Sequence, residues 1–415
     1  MLRTDRLAVW ILIGAFALII PSIQFLKFTD ELACLLLGAL AVAQCAVEGR
    51  WRMFRLLWII IGIFVFYLVY TLVFCRFNTP GAVCADFLIE LKPYVPFAVM
   101  VGLAPVFTSA ELVALKWLAV ANASAATIIM LTGLTEPAIH HLLYGGAVIF
   151  VSMLVYVYAC SVLDGGGLSR RCLIIATVML LCGLVCTRSK YYGEAVVAIF
   201  FLWVYRPGML RHIGLRQIAT VGAVLALVAA VGWSKFDFYF ITGAAEGLDR
   251  DSVQSFARPA LYATSLLIMA SYLPFGSGLA SFASFYSIHP YSRLYFQYGL
   301  NRIYGLSPHN SEFVCDAFYP SLVQFGVAGV GLFVWFWVKV AAMLRRLVRS
   351  DSARFRYPFA VGSLIIVFVM IENIASTLFT QAIGLSAMCL LGIICGQAPP
   401  HQASKPINSQ TQVII

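Results

Sequence analysis

The chain has 415 residues, of which 62% are hydrophobic and 11% charged. Ordinary soluble chains are about half apolar and about a quarter charged, so a soluble fold could not hide this much apolar surface. The composition specifies a polytopic membrane protein, and the formal net charge of +10 fits basic cytoplasmic loops rather than nucleic-acid binding.

A membrane-crossing helix needs roughly 20 mostly apolar residues. Twelve segments qualify, at 7–26, 31–47, 54–75, 94–107, 111–133, 140–163, 171–187, 190–205, 214–233, 321–344, 357–375 and 377–396. The expected fold is therefore all-α, with about twelve transmembrane helices. The first segment is too long for a signal-peptide core and lacks a small-x-small cleavage site, so it reads as a retained helix. The fourth is short and follows Pro93 and Pro96, which suggests a bend.

Charge tests that count. With Arg3 and Arg6 in the cytoplasm, alternation also places Arg50, Arg52, Arg55, Arg170, Arg171, Arg206, Arg211 and Arg216 inside. The cluster from Arg345 to Arg356 and the tail with Lys405 follow them. The short outer loops hold only Lys27, Arg76, Lys92, Arg188 and Lys190. That asymmetry is what the positive-inside rule requires. Residues 1–233 then carry nine helices, 234–320 form one large extracytoplasmic loop with short helices, 321–396 carry three more helices, and 397–415 form a polar cytoplasmic tail.

Most of the 11 cysteines lie inside apolar segments and act as small apolar residues. No metal-ligand spacing is present, so neither a metal nor a cofactor is expected. Cys75 and Cys84 flank one short outer loop and could form a disulfide there.

The large loop divides further. Ala260–Tyr272 is apolar, follows Arg258-Pro259 and stops before Pro274. Proline favours the first helical position, so a helix starting near Pro259 is expected at the membrane surface. Gly276 and Gly278 form a turn after it. Phe282, Phe285, Tyr286, Tyr291, Tyr295, Phe296, Tyr298 and Tyr304 follow. Such aromatics suit the membrane–water interface, and they also suit stacking on sugar rings.

Three features could carry chemistry on the outer face. Thr187-Arg188-Ser189-Lys190 puts two cations in a very short turn, as snorkelling side chains or as a phosphate clamp. Glu194 stands where it could pair with Lys190. Arg258 opens the loop helix, where free backbone N–H groups favour an anion; the alternative is a salt bridge with Asp249 or Asp251. His309-Asn310, with Glu312, offers a group that can take a proton from a hydroxyl near neutral pH. Asp249-Arg250-Asp251 has the spacing of an acidic metal motif, but is better read as preceding a helix. Glu372-Asn373 lies near the outer end of the eleventh helix, where an ionisable group points to function.

The whole topology, with Cys186-Thr187-Arg188, Phe256-Ala257-Arg258-Pro259-Ala260-Leu261-Tyr262, Pro274-Phe275-Gly276-Ser277-Gly278, His309-Asn310 and Gly326-Val327-Ala328-Gly329 in order, resembles the O-antigen ligase and O-antigen polymerase superfamily of bacterial envelope glycosyltransferases. The resemblance implies a glycan donor on undecaprenyl diphosphate and an acceptor sugar hydroxyl on another lipid-linked glycan or on lipid A–core. It implies inverting transfer without metal or nucleotide, and a place in the bacterial inner membrane with both termini cytoplasmic and the loop periplasmic. Other envelope polysaccharide assembly proteins would be its partners. By matching positions, Arg188 and Arg258 would hold the diphosphate and His309 would activate the acceptor or orient the donor. Lys190, Asn310, Glu312, Tyr262 and Glu372 would contact substrate. Asn310 and Gly326 are further apart than the nine-residue spacing of ligases, which favours polymerisation of O-antigen, capsule or exopolysaccharide repeats over ligation. A lipid-linked glycan flippase is the third expectation; the few midplane charges and the lack of related halves speak against it.

Overall fold

The computed structural model describes residues 4–132, 141–206 and 257–398, with five isolated positions between 207 and 256. Apart from isolated positions, the expected ninth span, 214–233, lies outside the described residues, as does the whole Asp249-Arg250-Asp251 motif. Among the described residues every regular element is helical, apart from two isolated bridges, Ile288 to Tyr291 and Ser307 to Asn310.

The longer helices are α1 (Thr4–Ala17), α2 (Ile19–Gln24), α3 (Thr29–Glu48), α4 (Arg55–Phe74), α5 (Pro80–Leu91), α6 (Tyr94–Leu103), α7 (Ser109–Thr132), α8 (His141–Leu163), α9 (Arg170–Gly183) and α10 (Ser189–Ile199). After 256 come α11 (Ala257–Ser271), the short α12 (Arg293–Gln297), α13 (Gly326–Ser350), α14 (Arg356–Glu372) and α15 (Ala382–Gly396). Five helical segments are long and apolar enough to cross a bilayer: 29–48, 51–74, 109–132, 144–163 and 326–350. The chain is thus an all-α protein with the apolar helices of a membrane protein.

Burial follows sequence. From residue 144 to 163 helix α8 is predominantly apolar and almost wholly buried, as expected for a helix surrounded by others. It packs on α7, α9, α14 and α15. Helix α15 crosses α6 closely because Gly392 has no side chain; a Cβ there would lie 2.5 Å from the Phe97 carbonyl oxygen.

Contacts between helix ends fall into two groups. At one end, Arg6 pairs with Glu111 at 2.8 Å, Arg356 donates to the Tyr205 carbonyl at 2.8 Å, and Gln397 donates to the Tyr158 hydroxyl at 2.8 Å. At the other, Lys92 meets Asp30 at 2.5 Å and Glu31 at 2.7 Å, and Lys190 meets Glu372 at 2.5 Å. The described part of the large loop packs at this second end.

Several sequence expectations change. Residues 76–93, read as a short loop, contain α5. Pro80 opens it, and the Thr79 side chain accepts from Ala82 N–H at 3.4 Å, a regular start for a helix. The fourth span reduces to the ten residues of α6. The start of the tenth shifts: Tyr319–Gln324 is a 3-10 turn and α13 begins at Gly326. Cys75 and Cys84 are both free. Cys75 faces Gly278 of the large loop, whereas Cys84 is exposed on α5, so no disulfide joins them.

The aromatic stretch is also not a uniform interfacial belt. Phe282 and Tyr295 are buried and stacked 5.4 Å apart, with Tyr291 4.9 Å from Tyr295. They join Leu261, Ile268, Leu300 and Val314 in a small core inside the loop. Phe285, Phe296 and Tyr304 remain exposed.

Candidate functional site

Three of the sequence motifs meet at the second end of the bundle. The Thr187–Lys190 turn follows the 3-10 end of α9; Thr187 takes a left-handed conformation at φ 52° and Arg188 is the extended residue before α10. That geometry exposes Arg188, while Lys190, on the first turn of α10, reaches inward to the Glu372 carboxylate. Lys190 also donates to the Ala375 carbonyl at 3.4 Å. Glu372, 2% exposed, accepts a further bond from the Ser376 hydroxyl at 2.9 Å.

The pairing of Lys190 with Glu194 along α10 is replaced by this cross-helix pair. Glu194 is fully buried, and neither of its carboxylate oxygens has a hydrogen-bond partner among the described residues. The end of α14 presents Glu372 to the Lys190 ammonium more directly than one turn of the same helix does.

Arg258 forms an ion pair with Asp316. The alternative partners considered from sequence, Asp249 and Asp251, lie outside the described residues. The loop helix is already present at Ala257, two residues before its expected start, so Arg258 lies within its first turn rather than ahead of it. Pro259 is compatible with that, since first-turn N–H groups have no intrahelical acceptor. Tyr262, one turn on, donates to the Ile374 carbonyl at 2.9 Å. Phe318 N–H to Asn373 O at 3.1 Å, Thr377 hydroxyl to Cys315 O at 3.3 Å and Tyr319 hydroxyl to Met370 O at 2.8 Å complete the seam between the loop and α14.

Asp316 is therefore the hub. Burial pushes its carboxyl up from the ordinary aspartate range, and the Arg258, Lys190 and Arg188 cations offset part of that push. Sequence reading missed Asp316. Its signal was present: it is the sole acidic residue between Glu312 and Asp351. The cluster holds three cations, Arg188, Lys190 and Arg258, and three carboxyl groups, Asp316, Glu372 and the buried Glu194. The exposed Arg188 guanidinium at this cluster is suited to an anion with several oxygens.

The structure does not bring every candidate together. His309 is exposed at the tip of a turn closed by Asn310 N–H to Ser307 O at 3.1 Å and by the Ser307 hydroxyl. The Asn310 side chain accepts from Glu312 N–H at 3.4 Å, and Glu312 is exposed. Among the described residues no hydrogen bond or ion pair joins His309, Asn310 or Glu312 to the cationic cluster.

The two glycine motifs have a different role: they interlock. Gly276 and Gly326 have φ of 83° and 62°, and their backbones touch so closely that a Cβ on either would lie 2.3 Å from the other's nitrogen. Gly278 N–H bonds to Gln324 O at 3.0 Å and Ala328 N–H to Pro274 O at 3.1 Å. From α4, Tyr67 and Tyr70 donate to the Phe325 and Gly276 carbonyls at 2.9 and 3.0 Å. Buried Asp86 on α5 accepts from Ala280 N–H at 2.7 Å and holds Ala280 at φ 56°. These motifs fix the loop to the helix bundle.

Comparison with known proteins finds no family model that matches the chain and no curated protein similar to it. The functional reading rests on the residues themselves.

Proposed function

We propose that the chain is an integral-membrane glycosyltransferase that extends an envelope polysaccharide from a lipid-diphosphate donor on the outer face of the bacterial inner membrane. The observation that carries this reading is that Arg188, Lys190 and Arg258 stand at one end of α14: Lys190 meets Glu372 and the Ala375 carbonyl, and Arg258, paired with Asp316, lies one turn from Tyr262, which meets the Ile374 carbonyl. These residues come from segments far apart in sequence and meet at one end of an apolar bundle. A lipid diphosphate brings its anion to such a place by diffusing in the membrane plane.

In the proposed reaction the acceptor hydroxyl oxygen bonds to the anomeric carbon, and the bond from that carbon to the diphosphate oxygen breaks. The diphosphate leaves with the bonding pair and gains charge. Fixed cations stabilise that charge more in the transition state than in the ground state. Arg188 is exposed and available to the anion. Arg258 and Lys190 are held by carboxylates, which orients them and lets the ligand share them. His309, on the exposed turn upstream of Asp316, takes the hydroxyl proton when the acceptor is bound. Repeat-unit polymerisation is the preferred reaction, because Tyr319–Gln324 forms a separate 3-10 turn between the His309 segment and α13, the extra length that separates this chain from the ligase pattern.

The test is the glycan profile of a deletion strain complemented with Arg188→Ala, Arg258→Ala or His309→Ala. Each variant is expected to insert normally and to leave single repeat units on the acceptor. Normal long glycan in all three variants would sink the proposal. Bare lipid A–core with free lipid-linked polymer would convert it to ligation. Glycan movement across liposomes by the purified protein, without elongation, would favour a flippase.

A further inference from the structure

A second site lies on the flank of the bundle, distinct from the cationic cluster. An apolar groove, open on one side and enclosing about 60 Å³, runs between α4, the junction of α5 and α6, and α13. Its walls include Ile60, Ile63, Phe64, Tyr94, Leu332 and Phe336. Leu332 and Trp335 on its rim are 36% and 40% exposed, so the groove opens sideways onto the face that a bilayer would cover.

One charged residue lines it. Glu90 is 5% exposed, and its carboxyl has no hydrogen-bond partner among the described residues. The ionisable groups facing it are Asp86, already engaged with Ala280 N–H, Tyr94 and Cys315, and none of them is a cation. The adjacent cation, Lys92, is taken by Asp30 and Glu31. A buried carboxyl without a donor is costly, and here the local balance is negative. The missing complement is a cation that donates hydrogen bonds, attached to something apolar enough to fill the groove.

We infer that the groove binds one acyl chain of a membrane lipid with a primary ammonium headgroup, as in phosphatidylethanolamine, whose ammonium donates to Glu90. The walls supply hydrophobic burial for the chain, and Glu90 supplies a charge-assisted hydrogen bond. An anionic headgroup is disfavoured beside Asp86 and Glu90. A choline headgroup carries the charge but has no N–H to donate. This inference stands independently of the proposed glycosyl transfer.

The test uses the full chain in vesicles carrying a trace of phosphatidylethanolamine with a diazirine acyl chain, or its phosphatidylcholine counterpart. After irradiation, labelled peptides are mapped by mass spectrometry. The ethanolamine probe is expected to label segments 60–67 and 329–336 several-fold more than the choline probe. Glu90→Gln, which keeps shape and removes charge, should bring that ratio close to one. Ile63→Trp, which fills the groove, should lower labelling by both probes. Equal labelling of the wild type by the two probes would overturn the inference. So would an unchanged ratio in Glu90→Gln, or labelling confined to other lipid-facing positions such as Val178 and Leu181.

Discussion

The large loop meets the helix bundle in two places that are built differently. On the α10 and α14 side the loop is held by hydrogen bonds, Tyr262 hydroxyl to Ile374 O and Phe318 N–H to Asn373 O, flanked by two ion pairs, Lys190 with Glu372 within the bundle and Arg258 with Asp316 within the loop. On the α4 and α5 side it is made of backbone in van der Waals contact, with Gly276 against Gly326 and Asp86 beneath Ala280. Ion pairs can exchange partners when an anion arrives, because part of their energy is recovered from the ligand. Interlocked backbone cannot. The difference separates a side suited to ligand exchange from a side suited to holding the loop in register.

That contrast can be broken from the rigid side first. Gly326→Ala would force a side chain into the left-handed region and to within 2.3 Å of Gly276 N. Strain and clash together should cost roughly 3 kcal/mol or more. The expected outcome is loss of the monodisperse peak in detergent size-exclusion chromatography, and retention of that peak would show that the interlock is not needed. Asp86→Ala comes next. It leaves buried Ala280 N–H without an acceptor, which costs about 1–3 kcal/mol and should appear as a lowered thermal unfolding midpoint.

The ionic side should respond more mildly. A double-mutant cycle of Arg258→Ala and Asp316→Ala is expected to give a coupling of about 0.2–1 kcal/mol in stability, since the pair is partly solvent-accessible. The same variants should abolish glycan extension, so function and stability separate here and coincide at Gly326. A coupling of several kcal/mol would remove the contrast between the two sides.

A further effect is pH-dependent. Burial, the largest influence, pushes the Asp86 carboxyl up to about 6 from 3.8, against the opposing bond from Ala280 N–H. The folded state therefore binds this proton more tightly than the unfolded state. Stability from this group is greatest below 3.8 and is lost as pH rises through about 6. Asp86→Asn keeps an acceptor for Ala280 and removes the titration. Its unfolding midpoint should vary less with pH over that window than the wild type's, and parallel profiles would show that Asp86 is not the group responsible.

Much of the fold was legible because hydrophobic length and charge asymmetry are local properties of sequence. The apolar stretches around α3, α4, α7, α8 and α13 became helices, with ends displaced by a few residues. Of the candidate site, Arg188, Lys190, Arg258, Tyr262 and Glu372 were legible as polar residues where few are tolerated, and they do cluster. Their partners were not. Asp316 and Asp86 matter through contacts with residues far away in sequence, and no local pattern marks such a contact. The glycine motifs were visible as motifs, but their mutual contact was not.

The sequence by itself determined an apolar all-α chain, the positions of its unusual charges and the break at the large loop, because the cost of placing charge in hydrocarbon is set residue by residue. Only the tertiary structure decided that Lys190 pairs with Glu372 rather than Glu194, that Arg258 is held by Asp316, and that Glu90 faces an apolar groove. Each of those outcomes depends on which helices lie side by side, and packing fixes that across the whole chain.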